Sequence, residues 1–165
     1  MNTSSSRRVT LLRIVKLAVI AALYVVLTVL LAPISFGPIQ FRVSEILVLL
    51  CFFKRDYCIS LILGCLIANL FSIELGYVDL IFGTLHTAIS VILISFTKKN
   101  LFISSLWPTI FMPIIAFELW YFLGYEFFMT WLTLSISEFI VVSILGFWIF
   151  FFIKKNETLV KFITE

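Results

Sequence analysis

The stretch AALYVVLTVLLAPISFGPIQFRVSEIL, from Ala21 to Leu47, decides what kind of protein this is. Its first half is uncharged and apolar over the length of a membrane crossing, which takes about 20 residues. Pro33 and Gly37 do not favour continuing a helix, so we expect the helix to end near Ala32 and a loop to follow. The stretch therefore predicts a transmembrane helix, a connection outside the membrane and a return segment.

The rest of the chain has the same character. Of 165 residues, 62% are hydrophobic and only 13% are charged, whereas a soluble domain is about one quarter charged. Six crossings would use roughly 120 residues, so no separate ATPase domain fits. The nucleotide-binding and hydrolase motifs GxxxxGK[ST], GxSxG and HExxH do not occur in the sequence. The composition predicts a small polytopic membrane protein that is not an enzyme and needs no cofactor.

Short charged clusters divide the chain into six apolar segments, which we interpret as the helices of one all-α membrane domain, 17–153. The expected helices are 14–32, 43–53, 57–73, 77–97, 106–123 and 127–153. The flanking segments, 1–16 and 154–165, are expected to be a basic N-terminus and a tail. The second segment is too short to cross a membrane unless the loop before it dips into the bilayer.

The basic residues predict the orientation of this bundle. With six crossings, 11 of the 12 basic residues fall on one side, and the other side holds only Arg42. Cytoplasmic connections carry the excess of Lys and Arg, so we expect both termini in the cytoplasm and the protein in the cell membrane. The positive charge is thus a topology signal, and it gives no reason to expect nucleic-acid binding.

The three cysteines indicate neither a disulfide framework nor a metal site. Cys51, Cys58 and Cys65 lie in apolar or cytoplasm-facing sequence, and no CxxC or Cys/His cluster occurs. We interpret them as small buried apolar side chains.

Most carboxylates lie on the side opposite the bases. Glu74 and Glu126 are expected to be solvated loop acids. Glu118 lies about one and a half turns inside the fifth helix, and Glu138 about 15 Å below the outer end of the sixth. A carboxylate at such depth is costly unless it faces a partner or a watery cavity, which makes it a functional-site candidate. Together, six of the nine acids belong to the outer side: Glu45, Glu74, Asp79, Glu118, Glu126 and Glu138.

Other polar groups are expected at the same level. Asp79 and His86 share one face of the fourth helix, although His86 could instead be an interhelical hydrogen-bonding residue. Because Arg42 is the one outer base, unmatched negative charge predicts a ligand that brings positive charge or several hydrogen-bond donors. We therefore predict an acid-rich pocket, covered by the first outer loop and lined by aromatic rings, formed by Gln40, Arg42, Asn69, Asp79, His86, Glu118, Tyr121 and Glu138.

Small residues one turn apart allow close approach of another helix. Ala18 and Ala22 form such a pair on the first helix and are our candidate for docking a partner. Gly64 with Ala68, and Gly83 with Thr87, have the same spacing. For any single pair, packing inside the bundle is the alternative.

Together these features resemble the queuosine-precursor transporter (QueT) family, among the substrate-binding S components of energy-coupling factor (ECF) transporters. The resemblance rests on Ala21 to Leu47 quoted above, and on four shorter blocks: GCLIANLFS (64–72), DxxFG (79–83), ELxYxLG (118–124) and SEFIVV (137–142).

The resemblance implies uptake of a deazaguanine base, such as its aminomethyl form. It also implies delivery of this base to a transmembrane coupling protein with two ATP-binding subunits, with Ala18 and Ala22 facing the coupling protein as the S component topples in the membrane. Two alternatives stay open. One is an S component for another small cationic nutrient or vitamin, and the other is a non-transport assembly or scaffold subunit.

Overall fold

The computed structural model describes residues 3–36, 39–72 and 76–164, and all regular structure within them is helical. The all-α class predicted from the sequence is confirmed. Two shorter apolar helices, Val43–Phe53 and Asp56–Asn69, accompany the longer ones. Four stretches are long and apolar enough to cross a membrane: Thr10–Leu30, Tyr77–Phe96, Leu101–Leu123 and Phe127–Lys155.

The first helix, α1, covers Thr3–Leu30. It begins well before the expected residue 14, so the basic N-terminal segment is part of the helix. The physical reason is that no proline or glycine precedes Pro33 in this part of the sequence, and nothing else ends the helix earlier. A single turn, α2 (Ala32–Ser35), follows with Pro33 at its start.

The return segment is a 3-10 helix, Val43–Leu49, that continues into α3, Leu50–Phe53. Next, α4 covers Asp56–Asn69. Hydrogen bonds of the i→i+3 type at Leu70 and Phe71 close α4 there, short of the expected residue 73. With 14 residues, α4 is about 21 Å long, compared with about 30 Å for the hydrocarbon core of a bilayer.

After α5, Tyr77–Phe96, the chain forms α6 from Leu101 to Ile110. This helix begins earlier than the expected residue 106 because the side chain of Asn100 accepts hydrogen bonds from the backbone N–H groups of Phe102 and Ile103 and caps the helix. A break follows, and α7 covers Pro113–Leu123. Pro113 supplies no N–H to the helical ladder, which explains the break.

The last membrane-length helix has three parts that follow one another without a gap. They are α8 (Phe127–Glu138), a π-helical segment (Phe139–Gly146) and α9 (Phe147–Lys155). Gly146 lets the π-helical segment approach the 3-10 helix, because an added Cβ would lie 3.1 Å from Leu49 Cδ1.

The C-terminal tail contains a short helix, α10, covering Glu157–Thr164. Its last carbonyls accept hydrogen bonds from the bundle: Lys54 Nζ donates to Thr164 O at 2.8 Å, and the Tyr57 hydroxyl donates to Ile163 O at 2.8 Å. These bonds satisfy carbonyls that a helix C-terminus leaves open, which explains why the tail is ordered against the bundle.

The basic residues gather at one end of the bundle. Arg13 pairs with Asp56 at 2.5 Å, and Lys16 Nζ donates to Phe162 O at 3.2 Å. Lysines at the start of α6 and at the end of α9 border one groove. We call this the basic end.

Two apolar clusters form the core. The larger joins α1, the 3-10 helix, α4 and α5, and it contains the buried Cys51, Cys58 and Cys65, which are free thiols as predicted. The smaller lies between α7 and α8 and includes Met112 and Ile115.

Candidate functional site

Eight polar side chains are buried together between the two apolar clusters, and we call them the polar cluster. Each is at most 7% exposed. Four are carboxylates and one is a guanidinium, so the cluster is negative on balance. It comprises Gln40, Arg42, Glu45, Asn69, Asp79, His86, Glu118 and Glu138.

Arg42 is the base of this cluster. Its Nη2 lies 3.9 Å from Asp79 Oδ1, and its Nε donates to Ser35 O at 3.4 Å. The guanidinium also lies over the Phe36 ring, 5.3 Å from the centroid. A separation of 3.9 Å is an ion pair without a hydrogen bond. Nη2 therefore finds no hydrogen-bond partner among the described residues, and Arg42 keeps a donor for a ligand.

Asn69 and Asp79 lie next to each other where α4 ends and α5 begins. Asn69 Nδ2 donates to the backbone oxygen of Asp79 at 3.1 Å. Gly83 makes this possible, because a Cβ there would lie 2.6 Å from Asn69 Nδ2 and 2.8 Å from Asp79 Oδ1. Gly83 is thus part of the internal packing. The Oδ1 atom of Asn69 has no partner within the described part of the chain.

Glu45 belongs to the cluster although it was not among the predicted site residues. Its Oε1 accepts hydrogen bonds from the Tyr24 hydroxyl and from Thr87 Oγ1, the latter at 3.1 Å. Its Oε2 has no partner among the residues described. The sequence signal was its position three residues after Arg42, which is one turn of a 3-10 helix and brings both side chains to one face.

His86 makes the interhelical hydrogen bond that the sequence offered as its alternative role. Its Nε2 lies 2.9 Å from Pro108 O. Since a carbonyl oxygen can only accept, Nε2 carries the proton, and Nδ1 of the neutral ring is left as an acceptor. His86 also lines the cleft described below.

Glu118 and Glu138 hold three further free acceptors of the cluster. Both oxygens of Glu118, and Oε1 of Glu138, are buried without a hydrogen-bond partner in the described residues. Glu118 lies within electrostatic range of Asp79 and Arg42. Glu138 lies within electrostatic range of Glu45 and Arg42. Leaving a buried carboxylate unpaired is costly, so this arrangement favours a partner that supplies donors.

Glu138 has a special backbone position as the last residue of α8 before the π-helical segment. Such wide turns are rare and are often found at functional sites. Here the change of helical pitch occurs where Glu138 meets the face of the 3-10 helix that carries Glu45.

Five residues of the cluster line a narrow cleft together with Met112 and Ile115, whereas Asn69, Asp79 and Glu118 do not line it. The five are Gln40, Arg42, Glu45, His86 and Glu138. The free volume of the cleft is about 10 Å³, enough for about one water molecule. A molecule larger than water does not fit this closed form.

A second, larger pocket of about 660 Å³ lies at the α7–α8 connection. Its one carboxylate, Glu126, is exposed as predicted and caps α8 by accepting a hydrogen bond from Met129 N at 2.6 Å. Binding sites are marked by convergent polar groups, so we take the polar cluster as the candidate site. The larger pocket is lined by Phe117, Trp120, Gly124, Tyr125, Glu126, Phe127 and Phe128.

The structure places Tyr121 apart from the other predicted site residues. Its side chain is 66% exposed and stacks on Phe117, with ring centroids 5.9 Å apart. Trp120 and Trp131 are also exposed on this surface, an arrangement typical of an interfacial aromatic belt. Glu74 lies outside the described residues.

The small-residue pairs separate into two kinds. Gly64 packs against α1, since an added Cβ would lie 3.0 Å from Ala21 O. Gly83 packs against Asn69, as described above. In contrast, Ala18 and Ala22 are exposed on α1, where another helix could approach.

Comparison with known proteins identifies the family. The family model described as QueT transporter matches residues 14–155. The queuosine precursor transporter QueT of Lactococcus lactis subsp. cremoris (strain MG1363) is 39% identical over 142 residues, which covers 76% of this chain and 83% of the relative. No solved structure matches the chain. Both the family and the relative are named as transporters, and the chain belongs to the QueT transporter family.

Proposed function

We propose that the chain is the substrate-binding subunit of an ECF-type importer and that it captures a queuosine precursor, a deazaguanine base, in the polar cluster. Family membership and the name of the Lactococcus relative supply the substrate class. The observation that carries the site is the pair of buried carboxylates Glu118 and Glu138: both oxygens of Glu118 and Oε1 of Glu138 lack a hydrogen-bond partner among the described residues.

The chemistry of such a base matches these groups. A guanine-like edge offers a ring N–H and an amino group, which suit a carboxylate that accepts both. A protonated aminomethyl group suits a second carboxylate. The ring oxygen needs a donor, and Arg42 Nη2 is available for it. His86 is not, because its N–H already donates to Pro108 O.

Capture begins with opening of the cleft. Gln40 and Arg42 precede the 3-10 helix and form one wall, while Met112 and Ile115 form part of the other. In our proposal the Gln40–Arg42 segment withdraws to admit the base and returns over it, so that Arg42 exchanges its long contact with Asp79 for a bond to the ligand.

We further propose six crossings with the basic end in the cytoplasm, following the distribution of lysines and arginines. The two shorter helices then cross as part of the bundle, with the 3-10 helix and the segment before it buried among the others. The base enters from the outside and leaves at the basic end.

The energy for transport must come from partners, because the sequence carries no nucleotide-binding motif. We propose that a transmembrane coupling protein with two ATP-binding subunits supplies it. The exposed pair Ala18 and Ala22 is the proposed docking point on α1.

The test is binding of the aminomethyl deazaguanine base to the purified full-length protein, measured by calorimetry. We expect Glu118→Gln and Glu138→Gln each to weaken binding by at least tenfold, since each loses a charge-assisted acceptor. The matched control is Glu126→Gln, which removes an exposed carboxylate in the larger pocket and should bind as wild type does.

Three outcomes would contradict the proposal in different ways. If only the Glu126 variant loses binding, the site is the larger pocket. A different small molecule retained by the purified protein and identified by mass spectrometry would point to another nutrient. If no candidate base binds and no molecule is retained, the chain is not a substrate-binding subunit.

A further inference from the structure

A groove opens at the basic end, between the start of α6 and α9. Its volume is about 440 Å³, and its lining combines ammonium groups with phenyl rings. We call it the basic groove. It is lined by Lys99, Asn100, Leu101, Phe102, Phe147, Phe151, Lys154 and Lys155.

The positive charge of the groove is not neutralised within the described structure. Its lining includes three lysines and no carboxylate. The ion pairs among the described residues lie elsewhere. Lys155 Nζ lies over the Phe151 ring at 4.4 Å, and Lys154 Nζ over the Phe52 ring at 5.2 Å. These cation–π contacts hold the lysine side chains against the helices without removing their charge.

The aromatic wall joins the two helices that border the groove. Phe102 of α6 meets Phe147 of α9 edge to face, with centroids 5.5 Å apart, and Phe147 stacks on Phe151 at 5.7 Å. Both helices are ends of membrane-length stretches. The groove therefore lies at the level where a membrane changes from hydrocarbon to headgroups, with apolar and cationic surfaces side by side.

We propose that the basic groove binds an anionic phospholipid. The phosphate of the headgroup meets Lys99, Lys154 and Lys155, and the first acyl carbons lie against the phenyl rings. A free anion would leave the aromatic wall unused, and a zwitterionic lipid would bring its own cation close to the lysines. Basic pockets between transmembrane helices are a known mode of lipid headgroup recognition. The proposal does not depend on which substrate the protein transports.

The test uses the purified full-length protein after delipidation. Retention of phosphatidylglycerol is measured by native mass spectrometry and compared with phosphatidylcholine of the same acyl chains. We expect Lys99→Gln with Lys155→Gln to weaken phosphatidylglycerol binding by about thirtyfold, since each lysine in contact with the headgroup phosphate contributes a factor of about five. The matched control, Arg55→Gln with Lys98→Gln, removes the same charge at the same end but outside the groove.

Selective loss in the groove variant, with the control within about threefold of wild type, would support the site. Circular dichroism checks that both variants keep their helix content. Equal loss of phosphatidylglycerol binding in both variants would show that net charge alone causes the effect, and this would overturn the proposal. So would equal binding of the two lipids, or full displacement of phosphatidylglycerol by inorganic phosphate, which would mark a free-anion site.

Discussion

At the scale of single residues, the best-defined interaction in the polar cluster is the carboxylate of Glu45 with its two donors, Tyr24 and Thr87. It fixes the 3-10 helix to α1 and α5 and thereby one wall of the cleft. We expect Tyr24→Phe to lower the free energy of unfolding by about 1–3 kcal/mol, because a buried charged acceptor loses one of its hydrogen bonds. Thermal unfolding of the detergent-solubilised protein measures this.

Tyr121→Phe is the control for that prediction. It removes the same hydroxyl from a side chain that is 66% exposed, so its unfolding temperature should match that of wild type. Equal destabilisation by both changes would mean that the bond to Glu45 contributes nothing of its own.

The site residues that the sequence predicted are those whose position carries a physical cost. Glu118 and Glu138 were identifiable because an unpaired carboxylate deep in an apolar helix is expensive. Glu45 was missed because it follows a loop, and only the 3-10 helix reveals its burial. Tyr121 lies three residues after Glu118, only about 60° away around the helix, yet its ring is exposed while Glu118 is buried, a difference that the spacing does not predict.

At the scale of helices, the start of α6 depends on a single cap. The side-chain oxygen of Asn100 accepts from the N–H groups of Phe102 and Ile103. We expect Asn100→Ala to lower the free energy of unfolding by about 1 kcal/mol. Asn100→Ser should restore most of it, because serine is also a good N-cap. Denaturant unfolding followed by circular dichroism tests this, and a serine variant as unstable as the alanine variant would contradict it.

The helix boundaries show where sequence reasoning stops. The charged clusters at 54–56, 98–100 and 154–155 fall between helices or at helix ends in the structure, as expected if charges are excluded from the hydrocarbon core. They did not reveal that α1 extends through the basic segment or that Asn100 starts α6 early. The π-helical segment, FIVVSILG, is apolar apart from Ser143 and contains no residue that demands the wider turn. Its pitch is set by packing against the 3-10 helix.

At the scale of the whole molecule, the basic end was predictable and the closed cleft was not. Lysines and arginines lie in the connections between apolar segments however the helices pack, so counting them was enough to predict the basic end. The cleft depends on how closely helices from distant parts of the chain pack, which periodicity does not report. Residue types therefore indicated the chemistry of the site, and the structure shows that its observed form is closed.

The proposed orientation can be tested in intact cells. A membrane-impermeant maleimide should label Tyr125→Cys, at the α7–α8 connection, and should label Lys98→Cys only after permeabilisation. The native cysteines are buried, so labelling reports the introduced thiol. Labelling of Lys98→Cys alone in intact cells would show that the orientation is the opposite of the proposed one. Labelling of both variants would show that these connections lie on one side and exclude the proposed six crossings.

In our proposal, the coupling protein docks on the exposed small-residue face of α1. Ala18 and Ala22 are one turn apart, so replacing both with tryptophan adds bulk where the partner helix would approach. We expect Ala18→Trp with Ala22→Trp to abolish co-purification with the coupling module and to leave binding of the base unchanged, because neither residue touches the polar cluster. Leu23→Trp places the same side chain elsewhere on α1 and should still co-purify. If the double variant is retained as well as wild type, the coupling protein docks on another surface.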